Sequence, residues 1–246
     1  MNQEKKLENS ELKITDFFDV TELQRLQDIF ADTNGVASII TDTTGNPVTK
    51  PSKFTNLCWA VIRQTTKGCE NCYLSDAVIG RYNPDGPVVQ PCLSGGLWDA
   101  GVSITVGGKH IANWLIGQVK SDDQKQEELL NYAETIGADK NEYEKALYEI
   151  PVMSIEKFRS IADFLFIFAN QLSQNAYNNY QLNNEIEARK KIENKLIENE
   201  KLLLKKTKDL EYLNSFFVNR ELRMVELKKE INDLLISMGK EKRYDY

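Results

Sequence analysis

An α+β fold is predicted by three features of this 246-residue sequence. Over residues 16–30 the apolar positions recur at three and four, the spacing of a helix face. Over residues 88–93, 98–106 and 110–116 short apolar runs are bounded by glycine, the mark of strands. Past Pro151 neither proline nor glycine interrupts the chain until Gly239, which predicts one long C-terminal helix.

Each element has its own justification. In the first helix Phe17, Val20, Leu23, Leu26 and Phe30 share a face, and Asn34-Gly35 supplies a left-handed stop. Residues 36–40 read as a short buried strand. The turn residues Asp42-Thr-Thr-Gly-Asn-Pro47 then lead into a return strand around residues 47–49. Residues 54–65 and 70–82 read as short helices, the second ended by Asn83-Pro84-Asp85-Gly86-Pro87. Three strands follow. Gly107-Gly108 provides the two positive-φ positions of the tight hairpin between the last two. Two strands plus three make one antiparallel sheet of five strands with helices on one side. Residues 121–150 carry one or two amphipathic helices broken near Gly137, and Ser154 is placed to cap the long helix.

Charge narrows the function. Residues 1–180 hold 16 Lys/Arg against 24 Asp/Glu, net -8; residues 181–246 hold 15 against 13, net +2. An acidic body repels phosphate backbones, so nucleic acid is not an expected partner. The longest apolar run, residues 161–169, contains Asp163 and is too short to span a membrane, so no membrane partner is expected. Residues 1–10 are polar, lack the apolar core of a signal peptide and are read as a disordered start. The expected compartment is the cytoplasm, where thiols stay reduced.

All four cysteines, Cys58, Cys69, Cys72 and Cys92, fall within residues 58–92. Cys69-Glu-Asn-Cys72 is a C-x-x-C pair with a single cysteine on each side. Such a set reads as a soft-metal site for zinc or iron, a redox pair, or buried thiols beside a pocket. The strong zinc signature has two C-x-x-C pairs and this chain has one. A thioredoxin-like enzyme is disfavoured because the pair follows a helix and is flanked by acid, which raises a thiol pKa. Buried thiols need least explanation, since cysteine packs as a small hydrophobe. Trp59, Trp98 and Trp114 are core aromatics or the wall of a ligand pocket, with Asp99 and Ser103 supplying its polar groups. His110, the single histidine, reads as a strand residue beside the Gly-Gly turn. Ser94-Gly95-Gly96 lacks the lysine and helix of a phosphate loop.

Leu196, Leu203, Leu210, Phe217, Met224 and Ile231 recur every seven residues. Three positions later stand Asn199 and Lys206, then Leu213, Arg220, Leu227 and Leu234. A heptad seam is covered most simply by a second copy, which predicts a parallel homodimeric coiled coil. The polar Asn199 and Lys206 would weaken it near its start.

Several quoted motifs, in this order, resemble a known family. Leu26-Gln-Asp-Ile-Phe-Ala31 leads into Ile39-Ile-Thr-Asp42, then Phe54 with Cys58, Gly68-Cys69 with Cys72 and Ser75-Asp76. Cys92-Leu-Ser-Gly-Gly-Leu97, Val106-Gly-Gly-Lys-His110 and Gly117-Gln118-Val119 complete the pattern. The stretch resembles the PocR sensory domain, a variant of the PAS-like fold of prokaryotic signalling proteins. Residues 217–232 are similar to the coiled-coil linkers of bacterial sensor kinases.

The resemblance implies a PAS-like five-stranded antiparallel sheet with flanking helices, followed by a long coiled-coil helix. It places a sensory domain at residues 11–170, a signalling helix and coiled coil at 171–238 and a tail at 239–246. It further implies binding of a small hydrocarbon derivative such as a diol, relayed to an output domain. Cys58, Cys72 and Cys92 carry over as candidate ligand- or metal-binding residues, with Cys69 a weaker transfer. A kinase would need a phosphoacceptor histidine on a helix and a glycine-rich ATP-binding domain, and the sequence shows neither. No enzyme activity is therefore expected, and the output is assigned to a separate signalling protein or to another part of a longer sensor. The alternative is a redox or metal sensor built on the four cysteines.

Overall fold

A computed structural model describes residues 12–245; the expected disordered start lies outside them. The chain divides into two units, the first running to Leu182 and the second beginning at Asn183.

In the first unit a helix, α1 (Val20–Asn34), precedes strand β1 (Ala37–Thr41). Asp19 caps α1 by accepting the Thr21 amide at 2.7 Å, and Gly35 at φ 68° ends it as the sequence predicts. Next come a π-helical turn (Leu57–Val61), a 3-10 turn (Ile62–Gln64) and helix α2 (Thr66–Ile79). The strands β2 (Val88–Pro91), β3 (Trp98–Val106) and β4 (Lys109–Val119) follow, then helices α3 (Gln126–Ile136), α4 (Lys140–Tyr148) and α5 (Ile155–Ser237). The long helix is thus present, and Ser154 caps it through its hydroxyl, 3.3 Å from the Lys157 amide. Among the described residues no helix is long and apolar enough to cross a membrane.

The sheet is antiparallel, in the order β1-β4-β3-β2, and has four strands rather than five. The expected return strand at residues 47–49 is reduced to the isolated bridges Thr41↔Pro47 and Ser38↔Ser52. Pro47 and Pro51 have no amide to give a ladder. At Ile40 the N–H goes instead to the Thr49 hydroxyl, at 2.9 Å. Buried Gln27 of α1 then holds the segment, donating to the Lys50 carbonyl at 2.8 Å and to the Ser52 hydroxyl at 2.6 Å. The helix expected over residues 54–65 is likewise replaced by the π and 3-10 turns. It cannot continue because Thr65 is extended and caps α2 through its hydroxyl, 3.0 Å from the Gly68 amide.

Helices cover both faces of the sheet, not one. Successive strand side chains alternate between faces. Ile40, Val102, Ile104, Trp114 and Ile116 pack with Leu23 and Phe30 of α1 and with Phe158, Ala162 and Leu165 of α5. On the opposite face Ile39 and Leu115 meet Ile79 of α2. Gly101 makes that approach possible, since a Cβ there would lie 2.6 Å from the Ile79 carbonyl oxygen. A second cluster joins Leu57, Cys58, Ile62, Cys92 and Leu97 to Leu129 of α3 and to Tyr143 and Leu147 of α4.

The second unit carries the rest of α5. Leu196, Leu203, Leu210, Phe217, Met224 and Ile231 are all exposed there, Ile231 least at 39%. Past Ser237 the chain turns at Gly239, φ 73°, and is fastened to the helix by Asn232. That side chain is fully buried, accepts the Arg243 amide at 2.9 Å and donates to the Tyr244 carbonyl at 2.7 Å.

Candidate functional site

The α2 face of the sheet holds a cavity of about 40 Å³. By this measure a single water needs about 10–15 Å³, so the space suits a ligand of few non-hydrogen atoms. Four elements supply its chemistry. Cys58 comes from the π turn, Arg63 from the 3-10 turn, Cys72 and Asp76 from α2, and Asp99 from β3. Cys92, just beyond β2, completes the wall. Turns of π type place side chains where a regular helix would not, and this one sets Cys58 on the cavity while its neighbour Trp59 is exposed.

Asp99 is held by a bulge. The β3–β4 register shifts between Trp98 and Ala100, and opposite it Gln118 adopts φ 59°. The Gln118 amide donates to Asp99 Oδ1 at 2.8 Å, and its side-chain carbonyl accepts the Thr55 amide at 2.7 Å. Neighbouring Gly117 is required by the same arrangement: a Cβ there would stand 1.9 Å from Asp99 Oδ1. A backbone kink thus turns a strand carboxylate into a fixed cavity group.

Arg63 and Asp76 form a buried ion pair, with Nη2 to Oδ2 at 3.2 Å and both side chains 13% exposed. The guanidinium also lies over the Phe54 ring, 5.3 Å from its centre. Its Nε–H is buried and finds no partner among the described residues. Burial pushes Asp76 up to about 6 against the opposing pull of Arg63. It pushes Asp99 up to about 7, opposed by the Gln118 amide and aided by the Asp76 charge.

The thiols sit in the same desolvating surroundings. Burial raises Cys72 to about 11 despite its 3.2 Å contact with the Ser94 hydroxyl, and it raises Cys58 and Cys92 well above an ordinary thiol. Thiol–disulfide exchange needs the thiolate, which this setting opposes. Among the described residues no group of three or more His, Cys, Asp or Glu is placed to hold a metal ion.

Of the residues singled out in the sequence, Cys58, Cys72, Cys92 and Asp99 come together at the cavity. Cys69 is half-buried on α2 and is not part of the wall. Trp59 is 56% exposed, and Trp98 points its indole N–H to the Ser121 hydroxyl at 3.2 Å. Trp114 is core, and Ser103 is buried farther along β3 without lining the cavity. His110 pairs with the Asn113 side chain at 2.7 Å. Arg63, Asp76 and Gln118 were not singled out as site residues. The signal for Arg63 was its charge within an apolar run, next to Ile62.

A family model described as a sensory domain found in PocR matches residues 16–177, about two thirds of the chain. The chain belongs to the PocR sensory domain family. Neither a curated protein nor a solved structure matches it. The matched residues include every element of the PocR domain from α1 through α4, together with the start of α5. All the cavity groups named above fall inside them.

Proposed function

We propose that the chain is a ligand-sensing module of prokaryotic signal transduction, working from the cytoplasm without making or breaking bonds. A small oxygen-bearing hydrocarbon derivative, diol-like in size and polarity, occupies the cavity on the α2 face. The observation that carries this reading is the cavity itself. It sets one guanidinium, two carboxylates and three protonated thiols around a space for a few atoms, in a domain whose family is sensory. Apolar walls with a few convergent polar groups are what small-molecule sites look like.

Occupancy acts on α5, whose first turns pack against the other face of the same sheet. In this reading the heptad positions of residues 196–231 pair two copies as a parallel coiled coil. Ligand biases two arrangements of that seam and so a separate signalling partner. A ligand moves such an equilibrium only by its differential affinity for the two arrangements. The fold in this proposal is PAS-like, with the segment after β1 standing where a fifth strand would run.

The test is photocrosslinking of two variants, with Leu203 or Leu210 replaced by p-benzoylphenylalanine and the four native cysteines left in place. Ligand-dependent change in crosslinking yield with 1,2-propanediol and related small alcohols supports the relay. Equal yields at saturating ligand remove it, and absence of any crosslink removes the dimer.

A further inference from the structure

The charges around the cavity do not balance. Among the described residues lining it are one cation, Arg63, and two carboxylates, Asp76 and Asp99. Arg63 is already paired with Asp76. Asp99 has one oxygen on the Gln118 amide and makes no ion pair among the described residues. Lining thiols and serines supply no positive charge. A buried carboxylate without a cation is costly, and a cation brought by the ligand removes the cost.

The same lining holds a second vacancy. The Nε–H of Arg63 is buried with no acceptor among the described residues, and a ligand that brings a lone pair as well as a positive charge would satisfy it. Between these groups the wall is apolar, with Phe54, Ile62 and Leu115, and that suits a short carbon chain.

We propose that the cavity takes a short protonated amino alcohol, its ammonium on Asp99 and its hydroxyl oxygen on Arg63 Nε. This rests on the reading of the cavity as the sensing site and names the ligand class within it. A neutral diol satisfies Arg63 and leaves Asp99 without a cation. A simple alkylamine does the reverse. A hydroxy acid adds a negative charge to a wall that already carries a net one. Of these four classes the amino alcohol alone meets both vacancies within about 40 Å³.

Titration calorimetry of the full chain at neutral pH tests this with four probes: 1-amino-2-propanol, propylamine, 1,2-propanediol and lactate. The amino alcohol is expected to bind at least about tenfold more tightly than each of the others. Asp99→Asn keeps an oxygen for the Gln118 amide and removes the charge. It is expected to abolish the preference over the diol. A diol that binds the unmodified protein as tightly as the amino alcohol overturns the proposal and leaves the sensing reading intact. Undiminished amino-alcohol binding by D99N overturns it too. If none of the four binds, the proposal falls, and unchanged Cys72 alkylation in their presence then takes the sensing reading with it. The probe series on the unmodified protein decides the matter even if D99N does not fold.

Discussion

On the α1/α5 face of the sheet Trp114, Phe158 and Leu165 are fully buried, and the Trp114 ring stands edge-on to Phe168 at 5.8 Å. On the α2 face, a few ångströms of strand away, the sheet holds Asp99 largely out of solvent and shares a cavity with an ion pair and three thiols. The first face gains stability from close packing. The second gives some of it up, since desolvation raises both carboxylates. In the proposed function that buried charge is kept for a ligand.

The largest effect should come from damaging the packed face. Trp114→Ala removes a fully buried ring and leaves the Ser38 hydroxyl, now 2.9 Å from the indole N–H, without its donor. Urea unfolding should show a loss of about 3–5 kcal/mol. A loss under about 1 kcal/mol would mean that this face is not the main core.

Asp99→Asn sharpens the comparison through pH. The folded-state pKa of Asp99 is raised from 3.8 to about 7, so the folded protein holds this proton more tightly than the unfolded chain. Its contribution is therefore complete below about pH 4 and is lost as pH rises through about 7. D99N should match the unmodified protein near pH 4. It should exceed it at pH 8 by an amount on the order of a few kcal/mol in urea midpoint analysis. A difference that does not vary with pH would show Asp99 to be solvated. Gly117→Ala comes next, because its Cβ would fall against Asp99. A destabilisation of about 1–3 kcal/mol is expected, measured by thermal melting, with small-ligand binding lost.

The sequence disclosed these two faces unequally. Gly107 and Gly108 announced the β3–β4 hairpin, and they do adopt φ 58° and 78°. Leu23 and Phe30 followed apolar periodicity into the core, because burial is the force that writes periodicity. The cysteine cluster led to the cavity for the same reason: three of its four thiols are small groups packed at one wall. What stayed hidden depends on departures from regular geometry. The bulge that re-aims Asp99, the left-handed Gln118 and the π turn bearing Cys58 each break the period on which a pattern reading rests. The Arg63–Asp76 pair spans 13 residues and two elements, so no local spacing could reveal it. Trp59 was misleading as a pocket candidate because it shares that π turn with Cys58 yet points to solvent. The fifth strand is absent for a reason the sequence does carry: Pro47 and Pro51 have no amide to give a ladder, whatever the turn before them favours.

The smallest effect should come from the second unit. Leu210 is 66% exposed, so Leu210→Asp should shift the stability of the sensory unit by less than about 0.5 kcal/mol. In the proposed dimer the same change should drive the chain to monomer in analytical ultracentrifugation. Unchanged mass would show that the seam is not where copies meet.

The most direct measurement is the alkylation rate of Cys72 in the intact protein, read by mass spectrometry with and without small polar ligands. Burial holds this thiol at about 11, so it should react slowly when the cavity is empty. A bound alcohol or amino alcohol should slow it further, by about tenfold at ten times its dissociation constant. If Cys72 reacts at the same rate at every ligand concentration, nothing of that kind occupies the space beside the thiols, and the sensing account is contradicted.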